Sequence, residues 1–181
     1  MSASFTGRLL IAGPSLGDAN FDRTIVYVLE HGPEGALGVI VNRPSDFPVG
    51  DALPLWTGAV GRPAVVFSGG PVEAGVALGL ARVRDALDCP GWSGVDGTIG
   101  SVDLSMDPDS IAAGVEVARV FVGYAGWGAG QLDDEVGGGA WLVVEAEPDD
   151  LFTAEPEHLW GEVLRRDSAK RAMTGSNPSW N

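Results

Sequence analysis

The sequence predicts an α+β protein: one domain over residues 1–181, its core from about residue 7 to 167, built on a mixed, mainly antiparallel sheet. Three observations carry that expectation. Two β-branched runs, "TIVYVLEHG" (24–32) and "ALGVIVNRP" (36–44), flank the short reversal "PEG" and read as a hairpin. Helical patterning is confined to the second half, so strand and helix do not alternate as they would in a parallel α/β protein. Glycine accounts for 27 of 181 residues without a period, about twice the usual share of roughly 7%. That suits tight turns and close backbone approaches.

The elements follow in order. "RLLIA" (8–12) is a short buried strand, and "GPSLGDANFDR" (13–23) a loop. The hairpin comes next, rich in residues that fit a pleated surface and closed by Pro44, which has no N–H to give a ladder. Residues 45–63, "SDFPVGDALPLWTGAVGRP", carry Pro and Gly throughout and predict a loop with at most one helical turn. "AVVFSGG" (64–70), "GVALGLARV" (75–83) and "TIGSVDL" (98–104) predict further strands. In "MDPDSIAAGVEVA", Asp107 stands at a helix cap and Pro108 at the first helical position, so a helix is expected there. "RVFVGYA" (119–125) is a strand, "QLDDEV" a short helix stopped by "GGG", and "AWLVVEAE" (140–147) a buried strand. "PEHLWGEVLRRD" (156–167) sets Leu159, Trp160, Val163 and Leu164 on one helical face, and the tail "TGSNPSWN" is expected to fray.

Charge narrows the function. With 11 basic and 25 acidic residues the net charge is -14. Such a chain is repelled by phosphate backbones unless a basic patch intervenes. The one dense basic group is Arg165, Arg166, Lys170 and Arg171, placed to complement the negative end of a terminal helix. Nucleic acid is therefore not an expected partner. No apolar run reaches the ~18 residues of a membrane span, and no charged leader precedes the first strand. The single cysteine, Cys89, allows no internal disulfide and has no basic neighbour to activate it. A cytoplasmic protein without a membrane partner is expected.

"GYAGWGAGQLDDEV" (123–136) has the strand, glycine loop and helix start that bind phosphates, but Gln131 breaks the dinucleotide fingerprint. Asp133, Asp134 and Glu135 would repel a phosphate from that helix start. Trp127 either packs inward or stands out as a binding anchor. "VFSGGP" offers Ser68 without the first glycine of a nucleophile elbow. His31 sits at a hairpin turn, where a hydrogen-bonding surface role is the plainer reading, and His158 lies in the last helix. "DLSMDPD" (103–109) starts like a calcium loop but lacks its glycine and final acid. Asp18, Asp22 and Glu30 could gather around a cation, though loop acids are mostly solvated. No metal or cofactor is expected.

Taken together, "LLIAGPSLGDANFDRTIVYVLEHGPEGALGVIVNRP", "SGGPV" and "GYAGWGAGQLDDEV…GAWL" resemble the AlgH/YqgE family of bacterial proteins over about residues 7 to 165. The resemblance implies a bifurcated mixed sheet surrounded by helices. Members are labelled transcriptional regulators, without an established biochemical activity. A helix-turn-helix needs two adjacent amphipathic helices with a basic face, and the sequence offers no such pair. The matching positions are Asp18, Phe21, Arg23, Glu30, His31, Asn42, Arg43, Pro44, Gly69, Gly70, Pro71, Gly123, Trp127, Gly128, Gln131 and Leu132.

The expectation is a non-enzymatic regulatory protein that binds a small ligand or a protein partner. Its candidate binding residues are Arg23, His31, Asn42, Arg43, Gly69, Gly70, Trp127 and Gln131, with a shared cleft for Asn42, Arg43, Trp127 and Gln131. One alternative is a small-molecule enzyme in which Arg23 or Arg43 holds an anion and Glu30 or His31 acts as base. It requires Arg43, His31 and Gln131 to meet. A DNA-binding regulator ranks last on charge. A homodimer through an exposed apolar edge stays open.

Overall fold

A computed structural model describes residues 4–13 and 23–174. Asp18, Phe21 and Asp22, and the tail from residue 175, lie outside the described residues. Ten strands form one curled sheet: β1 (Arg8–Ala12), β2 (Ile25–Gly32), β3 (Gly35–Ile40), β4 (Pro44–Pro48), β5 (Val65–Ser68), β6 (Val72–Val83), β7 (Trp92–Asp96), β8 (Ile99–Val102), β9 (Val115–Trp127) and β10 (Trp141–Glu145). The helices are α1 (Val49–Ala52), α2 (Gln131–Gly137) and α3 (Pro156–Thr174). The main path runs β10-β1-β2-β3-β9-β6-β8-β7, and the β4–β5 pair branches from β9. β5 joins β9 in parallel, and the other strand pairings are antiparallel.

The apolar runs of β1 and β2 follow from burial on both faces. Leu9, Ile11, Ile25 and Tyr27 point to one side, under Leu159 and Val163 of α3. Leu10, Ala12, Val26 and Val28 point to the other, toward Trp127, Trp141 and Leu132 of α2. The β6–β9 half is covered differently. There Trp56 is buried with Val66, Val83, Trp92 and Val120, and its indole N–H donates to the carbonyls of Leu104 and Met106, each at 3.0 Å. Coil and short turns cover that half, so the expected ring of helices is a correction: α2 and α3 cap one half, and α1 has only four residues.

Three local expectations also change. Asp107 Oδ1 does cap, accepting from the Asp109 amide at 2.9 Å, but only the 3-10 turn Pro108–Ser110 forms. Burial of Ile111 and Ala113 draws the chain out, Gly114 turns it at φ +77, and the β-branched residues that follow join β9. Residues 45–63, expected to be loop apart from one helical turn, begin inside β4, and the helical turn is α1. β7 lies in a stretch to which no element was assigned from the sequence, although Asp96–Gly97, with Gly97 at φ +58, is a hairpin signal.

β9 is the spine. One edge pairs with β6 through most of its length. The other serves Val60, then β5, then β3 in turn. The branch demands close approach. A Cβ on Gly70 would overlap the backbone of Tyr124, one on Gly69 the carbonyl of Gly123, and one on Gly123 the carbonyl of Gly70. Gly70 and Gly123 also hold φ of +152° and +74°. The candidate binding residues Gly69 and Gly70 are thus packed against β9. Gly70→Ala should destabilise the fold by on the order of 3–5 kcal/mol, read by chemical denaturation.

Beside the branch, Arg119 is 1% exposed. It donates from Nη1 to the Leu151 carbonyl at 3.0 Å and from Nη2 to the Arg62 carbonyl at 2.6 Å, and its guanidinium lies 4.3 Å from the Phe67 ring centre. Burial pushes it down from 12.5 to about 10. Between those values the unfolded chain holds more protons, so this residue's contribution to stability rises with pH there. Tyr27 acts in the opposite sense. Burial, aided by the Asp96 charge, raises its phenol above the ordinary value of 10.0, so its contribution is present below that pH and lost above it. In Tyr27→Phe the fall in melting temperature from neutral pH to above pH 10 should be smaller than in the parent, measured by thermal melts across that range.

Candidate functional site

Three arginines gather around a hollow where the chain leaving β3 runs beside α3. The hollow, about 470 Å³, is lined by Arg23, Asn42, Arg43, Glu157, His158, Trp160, Gly161 and Arg165. Its geometry comes from the chain around β3. Asn42 follows the strand and clamps its neighbour: Oδ1 accepts from the Ile25 amide and Nδ2 donates to the Arg23 carbonyl, both at 3.0 Å. That clamp holds Arg23 at φ +51, unusual for a side-chain-bearing residue. The Arg23 guanidinium then lies 5.6 Å from the Trp160 ring centre, a cation–π contact. Arg43 is fixed through its carbonyl, which accepts from the Ser68 amide at 2.8 Å. Arg165 comes from α3, one helical turn beyond Gly161.

The other candidates lie elsewhere. Trp127 packs inward, 8% exposed, edge-on to Trp141 with ring centres 6.0 Å apart. Glu135 binds the pair: its Oε1 accepts from the indole N–H of Trp127 at 3.3 Å and of Trp141 at 3.0 Å. Its Oε2 accepts from Gln131 Nε2 at 2.8 Å, while Gln131 Oε1 accepts from the Gly128 amide at 2.9 Å. The glycine-loop amide and the Gln131 side chain are therefore engaged within the turn itself. His31 is not a surface turn residue, for its side chain is only 5% exposed. Its ring stacks on Phe5 at 4.9 Å and 8°. Nδ1 accepts from the Phe5 amide at 2.9 Å, so Nε2 carries the hydrogen directed at Asp133 Oδ2, 3.2 Å away. His31 and Trp127 border a second hollow with Glu30 and Glu34, and Gln131 lines neither one. Asn42 and Arg43 thus share a cleft with Arg23, not with Trp127 and Gln131, and Arg43, His31 and Gln131 do not meet in one pocket.

The basic group of α3 divides. Arg166 pairs with Asp150 at 2.7 Å and Glu147 at 3.2 Å, Lys170 with Glu145 at 3.0 Å, and Arg171 with Asp167 at 2.7 Å. The pairs of Arg166 and Lys170 fasten α3 to the turn after β10 and to β10 itself, while the Arg171 pair lies within the helix. Only Arg165 of the group faces the hollow. The acids of "DLSMDPD" are occupied locally: Asp103 Oδ1 accepts from the Ser105 hydroxyl at 2.6 Å and amide at 2.9 Å, which holds its carboxyl below the usual range. Among the described residues no three His, Cys, Asp or Glu side chains are grouped to hold a metal ion, and no helix is long and apolar enough to cross a membrane.

The comparisons with known proteins agree on one family. A model of the AlgH-like family matches residues 9–171. The chain belongs to the AlgH-like family. It is 50% identical over 180 residues to a UPF0301 protein of Streptomyces coelicolor, covering 97% of this chain and 93% of that one. A UPF0301 protein of Thermobifida fusca is 45% identical over 184 residues, covering 97% and 93%. Among solved structures, a protein of Corynebacterium diphtheriae superposes with a TM-score of 0.84 at 29% identity, covering 92% of this chain and 88% of that one. The solution structure of AlgH from Pseudomonas aeruginosa gives 0.67 at 31% identity, covering 98% and 93%.

In this AlgH-like chain, sequence reasoning missed the part of α3 in the hollow: Glu157, Trp160, Gly161 and Arg165. A glycine inside an otherwise amphipathic helix, four residues before an arginine, was the available signal. It also missed Glu135 as the shared acceptor of two indoles, since no spacing rule links residues 127, 135 and 141. Glu135→Ala should strand both indole N–H groups and destabilise the protein by about 2–4 kcal/mol, with Glu135→Gln between it and the parent. Denaturant titration followed by tryptophan fluorescence measures both.

Proposed function

We propose that this AlgH-like protein is a non-catalytic, regulatory binding protein that seats a small anionic ligand in the hollow between the end of β3 and α3. The observation that carries the reading is convergence: Arg23, Arg43 and Arg165 face one hollow on a chain of net charge -14. Arginine forks suit carboxylate and phosphate oxygens. Binding is favoured over catalysis because His31, the candidate base, has both ring nitrogens engaged by Phe5 and Asp133. Small ligands are favoured over DNA because the three other basic residues in the α3 group are already paired with carboxylates.

A thermal-shift screen of carboxylate and phosphate metabolites, followed by calorimetry, tests this. A ligand present at 100 times its Kd should add about 2.7 kcal/mol of stability. Arg43→Ala and Arg165→Ala should each abolish the shift while leaving the unliganded protein folded. Failure of every anion to bind, or binding untouched by both substitutions, would overturn the proposal. Duplex DNA at low salt should not bind; binding with a steep salt dependence would favour the DNA-binding alternative instead.

A further inference from the structure

Apart from the anion hollow, we infer that a second hollow, between the β7–β8 hairpin and the turn after β10, takes a small primary ammonium on Asp96 and Tyr27. This hollow, about 310 Å³, is lined from both ends of the curled sheet. Asp96, Gly97, Thr98 and Ile99 come from the hairpin, and Ala146, Glu147 and Pro148 from the turn after β10. Tyr27 comes from β2.

Three observations give the hollow a polar end. First, Tyr27 is 1% exposed, and among the described residues its hydroxyl makes no hydrogen bond. A buried tyrosine hydroxyl usually finds a partner, and a group seated in the hollow can supply one. Second, the Asp96 carboxylate has no basic partner among the described residues, whereas Glu147 on the same lining is paired with Arg166 at 3.2 Å. The Asp96 charge reaches the phenol and, with burial, raises it above its ordinary value, so the hydroxyl stays protonated and neutral. Third, Gly7, at φ +80, lets the chain ahead of β1 lie against Asp96. A Cβ there would stand 2.7 Å from the Asp96 Cβ and 3.1 Å from its Oδ2. The carboxylate is thus buttressed on that side.

An ammonium group matches the two acceptors. One N–H donates to the carboxylate with charge assistance, and another to the phenol oxygen. Ile99, Ala146, Pro148 and the Tyr27 ring offer apolar surface to a short alkyl chain. A metal ion suits the site less, since among the described residues no three His, Cys, Asp or Glu side chains are grouped to hold one. An anion would face the carboxylates of Asp96 and Glu147.

The test titrates butylamine, butanol and butyrate, chains of similar size, into the full protein at neutral pH and constant ionic strength, followed by amide NMR. Butylamine, charged at that pH, should move the amides of residues 96–99 and 146–147. It should bind about tenfold or more tighter than butanol, the worth of a charge-assisted hydrogen bond. Butyrate should not bind there. Asp96→Asn should remove the advantage over butanol, and Asn-Gly suits the same hairpin turn as Asp-Gly, so the fold is kept. Tyr27→Phe should weaken butylamine about fivefold, the worth of one neutral hydrogen bond. Asp96→Asn decides alone if that variant is unstable. Asp51→Asn, which removes an exposed carboxylate of α1, should change nothing. No binding by butylamine, equal affinity for butylamine and butanol, an advantage kept in Asp96→Asn, or shifts confined to other residues would each overturn the inference.

Discussion

Hydrogen bonding along both edges of β9 organises this molecule. A strand has two edges, and most sheets give each edge one neighbour. Here β6 takes one edge, and Val60, β5 and β3 divide the other. The seam where β3 gives way to β5 closes through Gly69, whose carbonyl accepts from the Ile40 amide and whose amide donates to the Val122 carbonyl, each at 2.8 Å. Only residues without side chains fit that seam, which is why Gly69, Gly70 and Gly123 meet there. The seam also sets the candidate site. As β3 peels away, Asn42 turns back onto the Arg23 segment and Arg43 is pinned to β5. The hollow opens at that departure, and α3 supplies its far wall.

At the C-terminal end of β9 the chain solves a different problem. Two tryptophans must be buried under α2 without stranding their N–H groups, since an unpaired buried donor costs about 1–3 kcal/mol. Glu135 answers both with one oxygen and holds Gln131 with the other. Two residues before Glu135, Asp133 reaches the His31 ring on the β2–β3 hairpin, and His31 in turn receives the Phe5 amide. The acids of α2 therefore complement the helix start and also act as acceptors for groups from β9, β10 and the hairpin. The glycine loop that resembles a phosphate cradle is the hinge of this lock.

What the sequence disclosed divides along the same line. Local rules found β1, the hairpin, β5, β6, β8, the middle of β9, α2, β10 and α3, because their apolar periods and turn residues act over short range. They failed where tertiary packing prevailed. The Asp107 cap formed but the helix it announced did not, since Ile111 and Ala113 are drawn into the core and Val115 and Val117 into β9. The candidate site was half legible. Arg23, Asn42 and Arg43 stood out by type and company, but their partners on α3 lie more than a hundred residues away, joined only by folding. Trp127 and Gln131 looked like ligands' neighbours because a glycine-flanked polar and aromatic cluster has the same composition whether it faces a ligand or its own helix. Only the positions of Glu135 and Trp141 separate the two cases.

The charge of the whole and the charge of the hollow act over different distances, and the proposed choice of a small anion over DNA rests on that difference. At physiological salt the field of an exposed charge fades within about 8 Å. An extended polyanion such as DNA lies across far more surface than that and meets the prevailing negative charge at each step. The proposed small anion between Arg23, Arg43 and Arg165 would feel chiefly the side chains within that distance, Glu157 among them. Remote carboxylates would be screened from it, and Arg166, Lys170 and Arg171 are paired with carboxylates of the turn after β10, of β10 and of α3. An acidic protein can thus present a site for an anion, provided the basic groups are concentrated in a recess no wider than the ligand itself. The positive-φ turn at Arg23 and the glycine inside α3 achieve that concentration here.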